Sequence, residues 1–464
     1  MAEEVGLRRA LGLRTVVSTS TGLAFAALEY LAMAGLIAYA AGDLAWISVA
    51  VAGLLALVAW GFYGELNGLY PTAAAVRRYM SKSMDDRVAL TITFTYLSTI
   101  ILVIAADAFI VGSAIAHVLG EPSWLVAIYI GLLLALATVA NLRGLVVAGA
   151  LQDIATFAVV VTTAVIGVLA IVHHPTSAAH LAALHRHHGL GGFVQAVALG
   201  VFLYGGFEWV TTSAEEVRSP ELVPRGMVIS VAVLFVSCAL ATEGMVHLLS
   251  PSELSSAYPQ LFLGRHAAGA FGYGLMCAIT AVTALNTFNG GFITASRFMY
   301  ATAREGSLPS GFARLNRHFV PWVPVVALAA TSLVVGVVVA VTGSWQVLVA
   351  VGAALEAMIY VVAGYCVLRL RTRQADSVRP FRLWAGKPLA CVGMVVFAVL
   401  ALGASVSVNN RFDLLPLGII IAMAALSGAY VLVYLPKLRA TNAANAAKAA
   451  APRRRRPPPA AETA

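Results

Sequence analysis

The chain has 464 residues, of which 60% are hydrophobic and only 11% charged, and its mean hydropathy is +0.87. A soluble domain sits nearer half apolar and a quarter charged, so composition excludes a soluble globular protein, although this length would suit about three soluble domains. The formal net charge of +9 invites a nucleic-acid reading, but the basic residues are spread between apolar runs in the pattern of a membrane protein.

Residues 1–14 are charged and are expected to lie in the cytoplasm, with no cleavable signal peptide, because the apolar stretch that follows is too long for an h-region. Runs long enough to cross a bilayer, ~20 residues, then recur. Twelve spans are predicted, at about 15–40, 44–70, 88–119, 124–141, 148–172, 192–214, 227–249, 267–296, 323–343, 346–368, 388–408 and 414–436. With the N-terminus inside, only Arg186, Arg265 and Arg411 of the 30 Lys and Arg residues fall outside, as the positive-inside rule requires. The expected location is the plasma (inner) membrane, with both termini cytoplasmic.

The first span, TVVSTSTGLAFAALEYLAMAGLIAYAA, carries Gly22 and Glu29 within it. Glu29 lies about 21 Å along the helix from Thr15 at 1.5 Å per residue, near mid-depth. The loop Tyr70–Arg87 is basic and turn-rich. In the third span, IILVIAADAFIVG holds Asp107. The outer loop at 173–192 contains six of the ten histidines without the spacing of a defined metal site.

The sixth span, GVFLYGGFEWV, is broken by Gly205 and Gly206, followed at once by Glu208. Each glycine costs a helix roughly 1 kcal/mol relative to Ala, so the pair invites local unwinding. Unwound backbone in lipid strands polar groups at several kcal/mol each, so it must border a wet cavity, a ligand or protein. Close helix packing through small residues is the alternative use of such glycines. Phe202, Tyr204, Phe207 and Trp209 flank the break and can gate a pocket or cover an ammonium. In the tenth span, VGAALEAMIY holds Glu356, and Glu243 lies near the outer surface. Acids at such depths cost ~2.5–3.5 kcal/mol on insertion scales and therefore face protein or water. Glu65, Asp153, Glu215 and Glu216 sit at cytoplasmic ends, where ion pairs with Arg are expected. The four cysteines fall inside apolar runs and read as buried hydrophobes. The tail from 437 to 464 turns Ala-rich, ends in RRRRPPP and is expected to be disordered and to touch anionic lipid.

Because five is odd, spans six to ten repeat the series of spans one to five in the opposite sense. Residues 15–172 and 192–368 are therefore expected to form inverted repeats, with 388–436 supplying two trailing helices. Interrupted segments at matching places in two halves point to a transporter site.

YGGFEWVTTSAEEVRSPELVPRG (Tyr204–Gly226) resembles the sixth-helix signature of the amino acid–polyamine–organocation superfamily. GELNGLYP (Gly64–Pro71) is similar to its second-helix element, NLRG (Asn141–Gly144) to its loop before helix five, and NTFNGGFITASRFMYATAREGSLP (Asn286–Pro309) to its eighth helix. The resemblance implies an all-α polytopic fold of twelve helices, five-plus-five inverted plus two, and secondary transport of amino acids or amines. Three features depart from it. The usual Gly-Ser/Ala-Gly-Ile-Phe break of helix one falls on Ala26-Ala27-Leu28-Glu29-Tyr30, and the Gly-Gly after the second-helix proline becomes Ala73-Ala74-Ala75. No lysine lies in the fifth span, so a lysine-based proton mechanism is not carried over.

The expected substrate site joins Gly22, Ala26, Ala27, Leu28 and Glu29 to Phe202, Gly205, Gly206, Phe207 and Glu208, with Asp107 beside them and helices three, eight and ten completing the pocket. A proton carried by Glu29, Asp107, Glu208 or Glu356, a sodium ion held by Thr294 and Ser296, or exchange without an ion would couple transport. An amino acid is the expected substrate, a polyamine or simple amine the close second. A channel or nutrient sensor is the reading of another class. An enzyme is not expected, since no metal, cofactor or nucleophile motif appears in the spans.

Overall fold

In hydrocarbon a chain satisfies its own backbone only as a helix or a closed barrel, and every long apolar run of this sequence folds as a helix. The computed structural model describes residues 11–72, 75–144, 149–173, 184, 189–405 and 413–450. Among these residues there is no β-strand. The first ten residues, Ala73 and Ala74, most of the His-rich loop with Arg186, Arg411 and the final RRRRPPP segment lie outside the described residues.

The first span is two helices, α1 (Leu13–Ala24) and α2 (Leu28–Gly35), bent by 61° at the intervening break. A π-helical turn over Leu36–Ala41 follows. Next come α3 (Ala45–Leu69), the short α4 (Ala75–Ser83) and α5 (Asp86–Leu119). The side chain of Asp85 caps α5 by accepting from the Arg87 amide, and Gly120 ends it in the left-handed region. Then follow α6 (Leu125–Leu142), α7 (Gly149–His173) and α8 (Gly189–Phe202), the last running into a 3-10 segment at Phe207–Ser213. The second half holds α9 (Leu222–Leu248), the one-turn α10 (Pro251–Leu254), α11 (Pro259–Arg304), α12 (Trp322–Thr342) and α13 (Trp345–Arg373). It ends with α14 (Gly386–Gly403), α15 (Leu414–Ala429) and α16 (Leu435–Ala450).

Among the described residues, eleven helices are long and apolar enough to cross a membrane, and counting the bent first pair as one span makes twelve. The eighth predicted span, 267–296, is part of a longer element: α11 kinks at Ala268 and Gly269, where non-helical angles fold its first turns back on the rest. The tail also differs from expectation. Residues 437–450 are helical rather than disordered, because Ala-rich sequence has high helix propensity, and Arg439 anchors the turn by donating to Ser307 Oγ at 3.0 Å.

Helices α5 and α13 are mostly buried, whereas α6, α12 and α15 expose Leu132, Leu136, Val334 and Leu426 to what would be lipid. Helix α9 packs against α1, α3 and α7. The α7–α9 crossing is close enough that a Cβ at Gly167 would stand 2.4 Å from Leu240 O, the use of small residues expected where helices meet in a bilayer.

The expected cytoplasmic ion pairs take specific form. Asp153 meets Arg14 at 3.4 Å. Glu65, on α3, is 1% exposed and accepts from Arg371 Nε at 2.8 Å, Arg379 Nε at 3.1 Å and the Leu383 amide at 2.9 Å. One carboxylate thus ties α3 to the end of α13 and to the segment leading into α14. Removing one member of a buried ion pair costs about 3–5 kcal/mol, since the partner charges stay behind. Glu65→Ala is therefore expected to lower the thermal transition of the detergent-solubilised protein well beyond a surface control such as Glu221→Ala. Equal transitions would show that the cluster is not structural.

Candidate functional site

The break in the first span begins where Phe25 leaves the helix (φ −97°, ψ 88°) after its amide bonds Thr21 O at 2.8 Å. Ala26 and Ala27 carry no helical hydrogen bonds of their own into α1, and the chain re-enters a helix at Leu28. Such a restart exposes amides with the positive end of a helix dipole behind them. Asp107, fully buried on α5, meets them: its Oδ1 accepts from the Leu28 amide at 3.0 Å, and the Ala27 amide and Thr287 side chain face the same carboxylate. The amides of Ala26 and Glu29 face the Glu29 carboxyl.

The second break mirrors this chemistry. Gly206 adopts φ 98°, and its missing Cβ would stand 2.6 Å from Leu23 O, so the two interrupted spans cross here, and only glycine suits both the angle and the approach. Glu208, two residues on, turns back to accept from the Gly206 amide at 3.1 Å. Its other oxygen accepts from the Tyr96 hydroxyl, while Tyr360 donates to Oε2 at 3.4 Å. Glu356 packs beside it, its Cγ and Cδ against the Cα side of Gly205.

Between the breaks lies a cavity of about 60 Å³. Its walls include Leu23, Ala26 and Glu29 from the first span and Phe202, Gly205, Gly206 and Trp209 from the sixth. Thr99, Ile100 and Val103 of α5, Thr287, Gly291 and Thr294 of α11, and Glu356 of α13 complete it. Glu29 and Glu356 are 3% and 1% exposed, and each keeps one carboxyl oxygen, Oε2 and Oε1, without a hydrogen-bond partner among the described residues. Among the described residues no Lys, Arg or His lines the cavity.

The sequence-derived residues therefore divide. Ala26, Glu29, Phe202, Gly205, Gly206, Thr294 and Glu356 lie on the wall. Gly22 does not: it faces α7, where an added Cβ would meet Thr156 Oγ1 at 2.6 Å. Ala27 and Leu28 present backbone to Asp107, and neither they nor Asp107 line the cavity. Phe207 packs edge-on against Tyr63. Ser296 donates to Ile293 O at 3.3 Å, within its own helix. Sequence reasoning left out Leu23, Thr99, Ile100, Val103, Thr287 and Gly291, as well as the tyrosines that hold Glu208. Their spacings, 99/100/103 and 287/291/294, each mark one helix face, but in uniformly apolar helices that periodicity has no contrast against the lipid side.

Gly206→Ala forces a side chain into a left-handed angle and into Leu23 O. A cost of about 1–3 kcal/mol is expected, read as a lower thermal transition and lost ligand binding, whereas Gly274→Ala on α11, with nothing within 4 Å of the new methyl, is expected to leave both intact. Equal behaviour would refute the close crossing of the two spans.

Residues 15–438 match the amino acid permease family. Among curated relatives, the gamma-aminobutyric acid permease of Bacillus subtilis (strain 168) is 22% identical over 414 residues, covering 85% of this chain and 87% of that protein. The D-serine/D-alanine/glycine transporter of Escherichia coli (strain K12) is 25% identical over 229 residues, 46% of this chain and 48% of its own. Among solved structures, a mutant of the Eremococcus coleocola manganese transporter covers 94% of this chain and 98% of its own with a TM-score of 0.59 at 13% identity, a likeness of fold. Matched from its first span to its last, the chain belongs to the amino acid permease family, a multi-pass membrane protein of the amino acid transporter class.

Proposed function

We propose that the protein is a secondary active carrier that binds an amino acid or related amine in the cavity between its two broken spans and releases it on the other side by alternating access. The observation that carries this reading is a cavity between the two broken spans lined by two buried acids, Glu29 and Glu356, each with one carboxyl oxygen that has no hydrogen-bond partner among the described residues. A buried carboxyl oxygen without a partner is costly, and an ammonium group beside it offsets that cost. Trp209, stacked on Tyr96 with centroids 5.1 Å apart, and Phe202 supply aromatic faces for the rest of the cation. Ala26, Gly205 and Gly206 bring backbone to the wall, and Gly22, Ala27, Leu28, Phe207, Asp107 and Glu208 shape the site from behind.

Residues 15–172 and 192–368 form the inverted repeats of this reading, and rocking of one group of helices against the other moves the cavity's opening from face to face. The protein resides in the cytoplasmic membrane with both termini inside, in contact with anionic lipid. It carries out no catalysis. Coupling is to protons: acids cluster at the cavity, and the Ser296 hydroxyl proposed for sodium is spent on its own helix. The manganese named for the fold neighbour is not part of this reading, since among the described residues no group of three or more His, Cys, Asp or Glu side chains could hold a metal ion.

Purified protein in liposomes is expected to take up labelled amino acids or amines with saturation and counterflow, faster with an inward proton gradient than with a sodium gradient. Glu29→Gln and Glu356→Gln are each expected to reduce uptake about tenfold or more, the loss of one charge-assisted contact to the ammonium. Unchanged uptake in both variants would overturn the site, and uptake driven by sodium alone would overturn the coupling.

A further inference from the structure

The handling of the two helix restarts says which end of an amino compound this pocket holds. Half-helix N-termini at a break are the natural seat for a substrate carboxylate, because amides and dipole both favour an anion there. In this chain those seats are taken. Asp107 Oδ1 accepts from the Leu28 amide at 3.0 Å and faces the Ala27 amide as well. Glu208 Oε2 accepts from the Gly206 amide at 3.1 Å. Both acids are fully buried and belong to the protein.

What remains exposed to the cavity has the opposite preference. Glu29 and Glu356 line it, and each has one carboxyl oxygen without a hydrogen-bond partner among the described residues. The neutral polar residues on the wall, Thr99, Thr287, Thr294 and Trp209, do not offset the charge of a carboxylate placed beside two acids. A ligand carboxylate entering here would have to displace Asp107 from Leu28 and then lie near Glu29.

Resting on the transport reading above, we infer that Asp107 is a specificity-determining residue that fills the carboxylate seat from within, so that the site prefers an amine over the α-amino acid with the same side chain. The ligand class is a primary amine or diamine without a carboxylate next to its ammonium. Asp107 does this without touching the ligand: it stands where the ligand's own acid would otherwise go.

The test uses the full-length protein in liposomes and paired competitors of equal side chain: agmatine against arginine, and putrescine against ornithine. Inhibition of labelled putrescine counterflow is expected at concentrations about tenfold or more lower for each amine than for its parent amino acid, the worth of one charge-assisted hydrogen bond. Asp107→Ala frees the Leu28 amide and is expected to shrink or invert that ratio by about tenfold. Asp107→Asn keeps an acceptor oxygen without the charge, so a smaller shift in the same direction is expected. The ratio within a pair separates specificity from folding, because a poorly folded variant loses both members together. Wild-type protein that takes the amino acid better than its amine would overturn the inference while leaving carrier function standing. A ratio unmoved in both variants would overturn the role of Asp107. Absence of saturable uptake for all four compounds, and for a wider amino acid panel, would bring down the transport reading and this inference with it.

Discussion

Everything distinctive in this molecule follows from one constraint: main-chain polar groups inside hydrocarbon must be paired by the protein itself. Most of the chain meets it with unbroken helices. At Phe25–Ala27 and at Leu203–Gly206 the helix is interrupted, and in both places the liberated amides are met by a carboxylate. Asp107 reaches across from another helix, whereas Glu208 folds back from two residues away. Pairing each acid with a break gives the freed amides an acceptor inside the protein, although Asp107 keeps one oxygen, Oδ2, without a partner among the described residues. The cavity exists because the bend of the first span and the left-handed turn at Gly206 hold the two spans apart on one side of their crossing at Leu23.

Much of this was legible before any coordinates. Apolar run length gave the helices, since a bilayer dictates their size. The Gly205-Gly206 pair marked the second break, because two glycines weaken a helix and two in the middle of an apolar run need a reason. Glu29, Glu208 and Glu356 stood out as acids where acids are costly. The first break was harder to see, because Ala26-Ala27-Leu28 carries no helix-breaking residue. It is imposed by tertiary contacts, above all by the Asp107 carboxylate at the restart, a partner 79 residues away that periodicity cannot reveal. Gly22, the obvious candidate for flexibility there, instead serves a helix contact with Thr156.

The wall residues from α5 and α11 illustrate a second limit. In a soluble helix an inward face announces itself by polarity on the other side. Here both sides are apolar, so Ile100, Val103 and Gly291 look no different in sequence from lipid-facing neighbours. Likewise, Glu65 was expected to pair with arginine, but sequence alone does not show that its partners, Arg371 and Arg379, come from the far end of α13 and beyond. The loop residues after the second-helix proline, Ala73 and Ala74, lie outside the described residues.

The Glu65 cluster has a mechanical meaning. Arg371 and Glu356 sit on the same helix, 15 residues or about 22 Å apart at 1.5 Å per residue. Helix α13 is thus clamped to α3 near one end and bears an acid of the cavity further along. Any movement that parts α3 from α13 must prise a carboxylate from two guanidinium groups. Breaking such a buried cluster is costly, which joins these two helices in a single body.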